Sequence, residues 1–136
     1  MGDNPVRRAR VLLADDNRPV LDRVLSVLRP DFEVVGVVEN GQQLLREAKR
    51  LVPDVIVVDI MMPELTGIEA AHTLKEDGST AKIVFLTVHE EAEFVQACFA
   101  EGGSGYVTKS RLRTDLVSAI NEALLGHRFV SPTIPR

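Results

Sequence analysis

Three runs in this chain, Val11-Leu12-Leu13-Ala14, Val55-Ile56-Val57-Val58 and Ile83-Val84-Phe85-Leu86, are apolar at every position. A strand with one face in water alternates apolar and polar residues. A strand apolar throughout needs cover on both faces, which is the arrangement of a parallel sheet between layers of helices. Two further runs, Val34-Val35-Gly36-Val37-Val38 and the weaker Gly105-Tyr106-Val107, bring the strands to five at regular intervals. The segments between them carry helical spacing. Leu21, Val24, Leu25 and Leu28 share one face, and Leu44, Leu45, Ala48 and Leu51 repeat the pattern. A third helix is expected from about Gly67 through Ile68, Ala71 and Leu74, ending before Gly78. The fourth carries Phe94, Val95, Cys98 and Phe99 and ends before Gly102. The fifth carries Leu112, Leu116, Ile120, Ala123 and Leu124 and stops at Gly126, where a missing Cβ tolerates left-handed backbone. A βα alternation repeated five times with short connections predicts a right-handed, doubly wound α/β fold.

A chain of 136 residues fits one domain. With 45% hydrophobic and 26% charged residues it is neither disordered nor membrane-spanning, and no stretch approaches the roughly 18 apolar residues of a span. Sixteen basic against twenty acidic residues give a net charge of −4, which argues against direct binding of nucleic acid or a membrane surface. Arg7, Arg8 and Arg10 precede an apolar run too short for a signal peptide, and Cys98, the single cysteine, reads as a core thiol in a reducing compartment. A cytoplasmic location is expected.

In an open α/β sheet, ligands bind beyond the carboxyl ends of the strands. Those positions are polar here: Asp15 and Asp16 after the first strand, Asp59 after the third, Thr87 after the fourth and Lys109 after the fifth. Three carboxylates in one crevice repel, by about 3 kcal/mol per pair at roughly 5 Å and an effective dielectric near 20. The Lys109 ammonium offsets only part of that, so a hard divalent cation such as Mg²⁺ is expected. Cation, hydroxyl and ammonium together suit three phosphoryl oxygens, and an aspartate can itself be the nucleophile.

These residues, with Asp59-Ile60-Met61-Met62-Pro63-Glu64-Leu65-Thr66-Gly67, resemble the receiver domain of two-component response regulators over about residues 8 to 130. The resemblance implies a flavodoxin-like (βα)5 three-layer sandwich with sheet order 2-1-3-4-5. It implies that Asp59 accepts a phosphoryl group from a sensor histidine kinase. Asp16, Asp59 and the Met61 carbonyl would coordinate Mg²⁺, Asp15 would hold a coordinated water, and Thr87 and Lys109 would contact the phosphoryl oxygens. Thr87 and Tyr106 would form the switch, the ring turning inward as Thr87 moves toward the phosphate. Helix four, strand five and helix five would be the output surface and support a homodimer.

Gly105-Tyr106-Val107-Thr108-Lys109, Gly126 and Phe129-Val130-Ser131-Pro132 resemble more closely the NarL/FixJ subfamily, whose receivers precede a LuxR-type helix-turn-helix domain. Residues 131–136, with two prolines, are then an extended tail or the start of a linker, and DNA is met only through an output domain outside this chain. Two positions depart from the common pattern. Ser110 replaces a frequent proline, so a cis bond before it would cost about 3 kcal/mol. Val88 replaces a small residue and is expected to narrow access to the acyl phosphate and slow its loss, with His89 also bordering the pocket.

Plainer readings exist for each residue. Asp15-Asp16 suits a helix N-cap, Thr87 a cap for helix four, and Tyr106 plain core. His72, His89 and His127 lack metal-site spacing and read as solvated. A phosphohydrolase working through an aspartyl phosphate wants a second aspartate two residues after the nucleophile, where Asn17 and Met61 stand. The expected activity is therefore at most self-phosphorylation and autodephosphorylation, not metabolic catalysis. A phosphorylation-independent dimerisation or interaction module with the same fold is the alternative.

Overall fold

The computed structural model describes residues 7–132. Strands β1 (Arg10–Ala14), β2 (Glu33–Val38), β3 (Val55–Val58), β4 (Lys82–Thr87) and β5 (Gly105–Thr108) alternate with helices α1 (Arg18–Leu28), α2 (Gly41–Leu51), α3 (Gly67–Glu76), α4 (Ala92–Ala100) and α5 (Leu112–Leu124). A 3-10 turn (Lys109–Arg111) leads into α5, and a short strand β6 (Phe129–Val130) follows it. The sheet is parallel throughout, in the order β2-β1-β3-β4-β5-β6. The first five strands stand in the expected order. Strand β6 is an addition that two residues of sequence did not announce, and it pairs Phe129 with Gly105 and Val130 with Tyr106.

Alternate residues of each central strand enter different cores. Val11, Leu13, Val55, Val57, Val84 and Leu86 pack under α1 and α5. Leu12, Ala14, Ile56, Val58, Ile83 and Phe85 pack with residues of α2, α3 and Cys98 of α4. This two-sided burial is what the unbroken apolar runs require.

Local chemistry sets the helix starts beside the strand ends. Asn17 caps α1, accepting from the Val20 amide at 3.2 Å, and Asn40 caps α2, accepting from Gln43 at 2.9 Å. Thr66 and Glu69 form a reciprocal capping box on α3. Asp15, Asp16 and Thr87 are thus not caps, and Glu91, at the N-cap position of α4, makes no side-chain cap. The loop from β3 to α3 is drawn tight by the Gly67 amide, which donates to the Ile60 carbonyl at 2.7 Å. A Cβ on Gly67 would collide with the Asp59 carbonyl oxygen.

Every described peptide bond is trans, that before Ser110 included. Ser131 is buried, whereas residues 133–136 of the expected tail lie outside the described residues. No helix among the described residues is long and apolar enough to cross a membrane.

Candidate functional site

Strands β1 and β3 are hydrogen-bonded neighbours, so the residues that follow them emerge side by side. The Asp59 amide donates to the Ala14 carbonyl at 3.0 Å, and the Asp15 amide donates to the Val38 carbonyl at 3.1 Å. Asp15 is 1% exposed, Asp59 is also buried, and Asp16 is exposed. One oxygen from each of the three carboxylates lies within 4.8 Å of the others. Lys109, at the start of the 3-10 turn after β5, reaches across β4 into this cluster. Its Nζ donates to Asp59 Oδ2 at 2.8 Å and stands 2.9 Å from Asp15 Oδ2. Two backbone amides complete the shell: Asn17 N–H donates to Asp15 Oδ1 at 2.8 Å, and Met61 N–H donates to Asp59 Oδ1 at 3.3 Å.

The electrostatics of the cluster point one way. Burial pushes the Asp15 carboxyl above its ordinary range, against the Asn17 amide and the Lys109 ammonium, which pull it down. Burial alone would lower the Lys109 ammonium, but Asp59 and Asp15 outweigh it and raise it. Burial thus dominates at Asp15, and the two carboxylates dominate at Lys109. Buried Asp15 Oδ2 has the Lys109 ammonium, 2.9 Å away, as its ion-pair partner. An all-oxygen donor set of three carboxylates facing one ammonium fits a hard divalent cation of the Mg²⁺ type.

The remaining residues line the approach. Thr87 ends β4, buried, and its Oγ1 accepts from the His89 amide at 3.4 Å. Val88 stands at the rim, 68% exposed, and the Met61 side chain is exposed as well. Tyr106 is fully buried with its hydroxyl donating to the His89 carbonyl at 2.8 Å, so the ring occupies an inward position. Burial, above all, pushes its phenol up. The His89 ring lies 4.5 Å from the Phe94 ring, tying the loop after β4 to the first turn of α4.

Three features escaped the sequence reading. His72 does not stand alone in solvent: Nδ1 meets Glu101 at 2.8 Å and Nε2 meets Glu76 at 3.2 Å, and the Glu101 carboxylate raises the imidazole above its ordinary value. Glu76, four residues on along α3, was a readable partner by spacing, whereas Glu101 lies a helix away and gave no such signal. His127 likewise lies 3.2 Å from Glu122. Asp115, a carboxylate on the buried stripe of α5, is paired with Arg111 and Ser131. Its position three residues after Leu112 and one before Leu116 was the available clue. Cys98 is buried as expected, and burial pushes its thiol up to about 12, which leaves no thiolate for chemistry.

The family profile described as "Response regulator receiver domain" matches residues 11–121. The chain is 35% identical over 127 residues to the response regulator GacA of Pseudomonas viridiflava, covering 92% of this chain and 59% of that protein. It is 33% identical over 129 residues to the nitrate/nitrite response regulator protein NarL of Escherichia coli K12, covering 93% and 59%. Among solved structures, a LuxR-family two-component response regulator from Aurantimonas sp. SI85-9A1 superposes with a TM-score of 0.86 at 36% identity, covering 93% of this chain and 92% of that one. The chain spans about 59% of the length of the two curated relatives.

Proposed function

The chain belongs to the response-regulator receiver family, and from that premise we propose that it accepts a phosphoryl group on Asp59 from the phosphohistidine of a sensor kinase in the cytoplasm. The observation that carries this reading is the Lys109 contact: a buried lysine held at 2.8 Å from one Asp59 oxygen, beside two further carboxylates, at the open end of a parallel sheet. An Asp59 carboxylate oxygen attacks phosphorus, the P–N bond breaks, and the imidazole leaves carrying the electron pair. Asp15, Asp16, Asp59 and the Met61 carbonyl would hold Mg²⁺, which supplies charge neutralisation for phosphoryl oxygens when bound. Lys109 exchanges part of its pairing with Asp59 for a phosphoryl oxygen, and the Thr87 hydroxyl donates to another. Asp59 is fixed for attack because its own amide is locked to β1 and its Oδ1 takes the Met61 amide.

Phosphorylation then acts as a ligand for one of two conformations, with free energy equal to its differential binding. The Thr87, His89 and Tyr106 contacts link the pocket to α4 and β5, and the α4-β5-α5 face is the output surface, open to a second copy. Kinship with NarL and LuxR-family regulators supports transcription control through a DNA-binding domain that follows this one, with residues 131–136 leading to it.

Incubation with Mg²⁺ and acetyl phosphate is expected to add one phosphoryl group by intact mass, and Asp59→Asn or chelation of the metal to abolish it. A wild-type protein that stays unmodified with Mg²⁺ bound would favour a phosphorylation-independent interaction module. The exposed Val88 at the rim predicts a second result. Val88→Ala is expected to shorten the lifetime of the adduct several-fold by admitting water, and an unchanged decay rate rejects that role.

A further inference from the structure

Asp115 is a buried charge that the phosphoryl-transfer scheme above leaves unused. Leucine at this position would continue the stripe of Leu112, Leu116 and Ala119 without desolvating a carboxylate, and a buried ion pair seldom stabilises more than such apolar packing. What the pair supplies is geometry. Asp115 accepts from Arg111 Nε at 2.7 Å and Nη2 at 3.1 Å, and from Ser131 Oγ at 2.8 Å. Ser131 Oγ in turn accepts from the Thr108 amide at 3.2 Å, while the Ser131 amide donates to the Tyr106 carbonyl at 2.9 Å. Thr108 immediately precedes Lys109 and Arg111 closes its 3-10 turn. Both flanks of Lys109 are therefore tied to one carboxylate, and one of the ties runs through the segment that follows α5.

Building on the phosphoacceptor reading, we infer that Asp115 is a positioning residue: through Arg111 and Ser131 it sets the 108–111 turn, so that Lys109 is held against Asp59 while residues 129–131 are docked on β5. The docked segment is then part of the site, and by linkage its position responds to the state of Asp59. Loss of the clamp lets Lys109 drift, and misplacement of a charge-stabilising group by a fraction of an ångström lowers the transfer rate and leaves the metal carboxylates, which follow β1 and β3, where they were.

The test follows adduct formation by intact mass in the full chain with acetyl phosphate across a Mg²⁺ titration, for wild type, Ser131→Ala, Asp115→Asn and Leu28→Ala. The last truncates the core at the end of α1 remote from the site, and lowers stability with the clamp intact. Ser131→Ala and Asp115→Asn are expected to slow transfer at saturating Mg²⁺ about 3- to 10-fold with the Mg²⁺ midpoint within about twofold of wild type, while Leu28→Ala keeps the wild-type rate. Clamp variants as fast as wild type would overturn the inference. So would an equal slowing in Leu28→Ala, which would mark the effect as general loosening. A wild-type protein that forms no adduct would overturn the phosphoacceptor reading itself and the clamp with it. Should Asp115→Asn fail to fold, Ser131→Ala, which removes one hydroxyl, decides the matter.

Discussion

Lys109→Ala is expected to slow phosphorylation of Asp59 by about 10²- to 10³-fold, the loss found when a preorganised charge-stabilising donor is removed from an active site. The same substitution leaves Asp15 and Asp59 buried beside each other without their cation. That is expected to destabilise the metal-free protein by about 3 kcal/mol, at the low end for a broken buried pair because burial already raises the Asp15 carboxyl above its ordinary value. The two effects separate in Mg²⁺. A divalent cation replaces the ammonium as counter-charge, so urea unfolding with Mg²⁺ should recover much of the stability, whereas the ammonium's contact with a phosphoryl oxygen is not replaced and the rate stays low. Wild-type rates in the variant would remove Lys109 from the chemistry.

Gly67→Ala should damage stability and phosphorylation together. A Cβ there would meet the Asp59 carbonyl oxygen and come within 2.9 Å of the Asp59 carbonyl carbon, so the β3–α3 loop or Asp59 itself must move. Overpacking of this kind costs about 1–3 kcal/mol, and a displacement near 1 Å at the nucleophile costs about 10²-fold in rate. Gly78→Ala is the control. Gly78 needs its left-handed backbone, with φ of 79°, but has nothing within 4 Å of a Cβ, so alanine should cost about 1 kcal/mol of strain and leave phosphorylation unchanged. Thermal melts and adduct time courses on the pair distinguish crowding at Asp59 from ordinary glycine conformational strain. Equal effects of the two substitutions on the rate would deny Gly67 its special contact.

Much of this architecture was legible because strand burial and strand-end chemistry are local signals. Val55 to Val58 could only be a strand covered twice, and a carboxylate directly after such a run had to emerge at the sheet edge. Asp15, Asp59 and Lys109 were brought together as that argument required. What stayed hidden depends on partners far along the chain. The pairing of His72 with Glu101 joins α3 to the end of α4, and that of Asp115 with Ser131 joins α5 to the residue after a two-residue strand, Phe129-Val130. Such a strand is too short for a periodicity, and it exists because the β5 edge offers the backbone partners that Phe129 and Ser131 take. The Asn17 and Asn40 caps are local signals, cap-forming residues just before each helix, although Asp15 and Asp16 are competing cap formers beside the first.

Helix α4 buries one residue of nine, Cys98, and starts without a side-chain cap. By the measure of what it would lose on moving, it is the least anchored helix beside the site. A full reversal of a two-state population, from about 1:99 to 99:1, takes roughly 5.5 kcal/mol of differential binding. A phosphoryl group that gains two or three charged hydrogen bonds, each worth about 1.5–3 kcal/mol, commands about 3–9 kcal/mol, a sum of the same order. A switch driven by one such group has to move something cheap. On the phosphoacceptor reading, the poor anchoring of α4 matches the strength of that signal: a better packed helix would give a more stable protein that one phosphate would not turn.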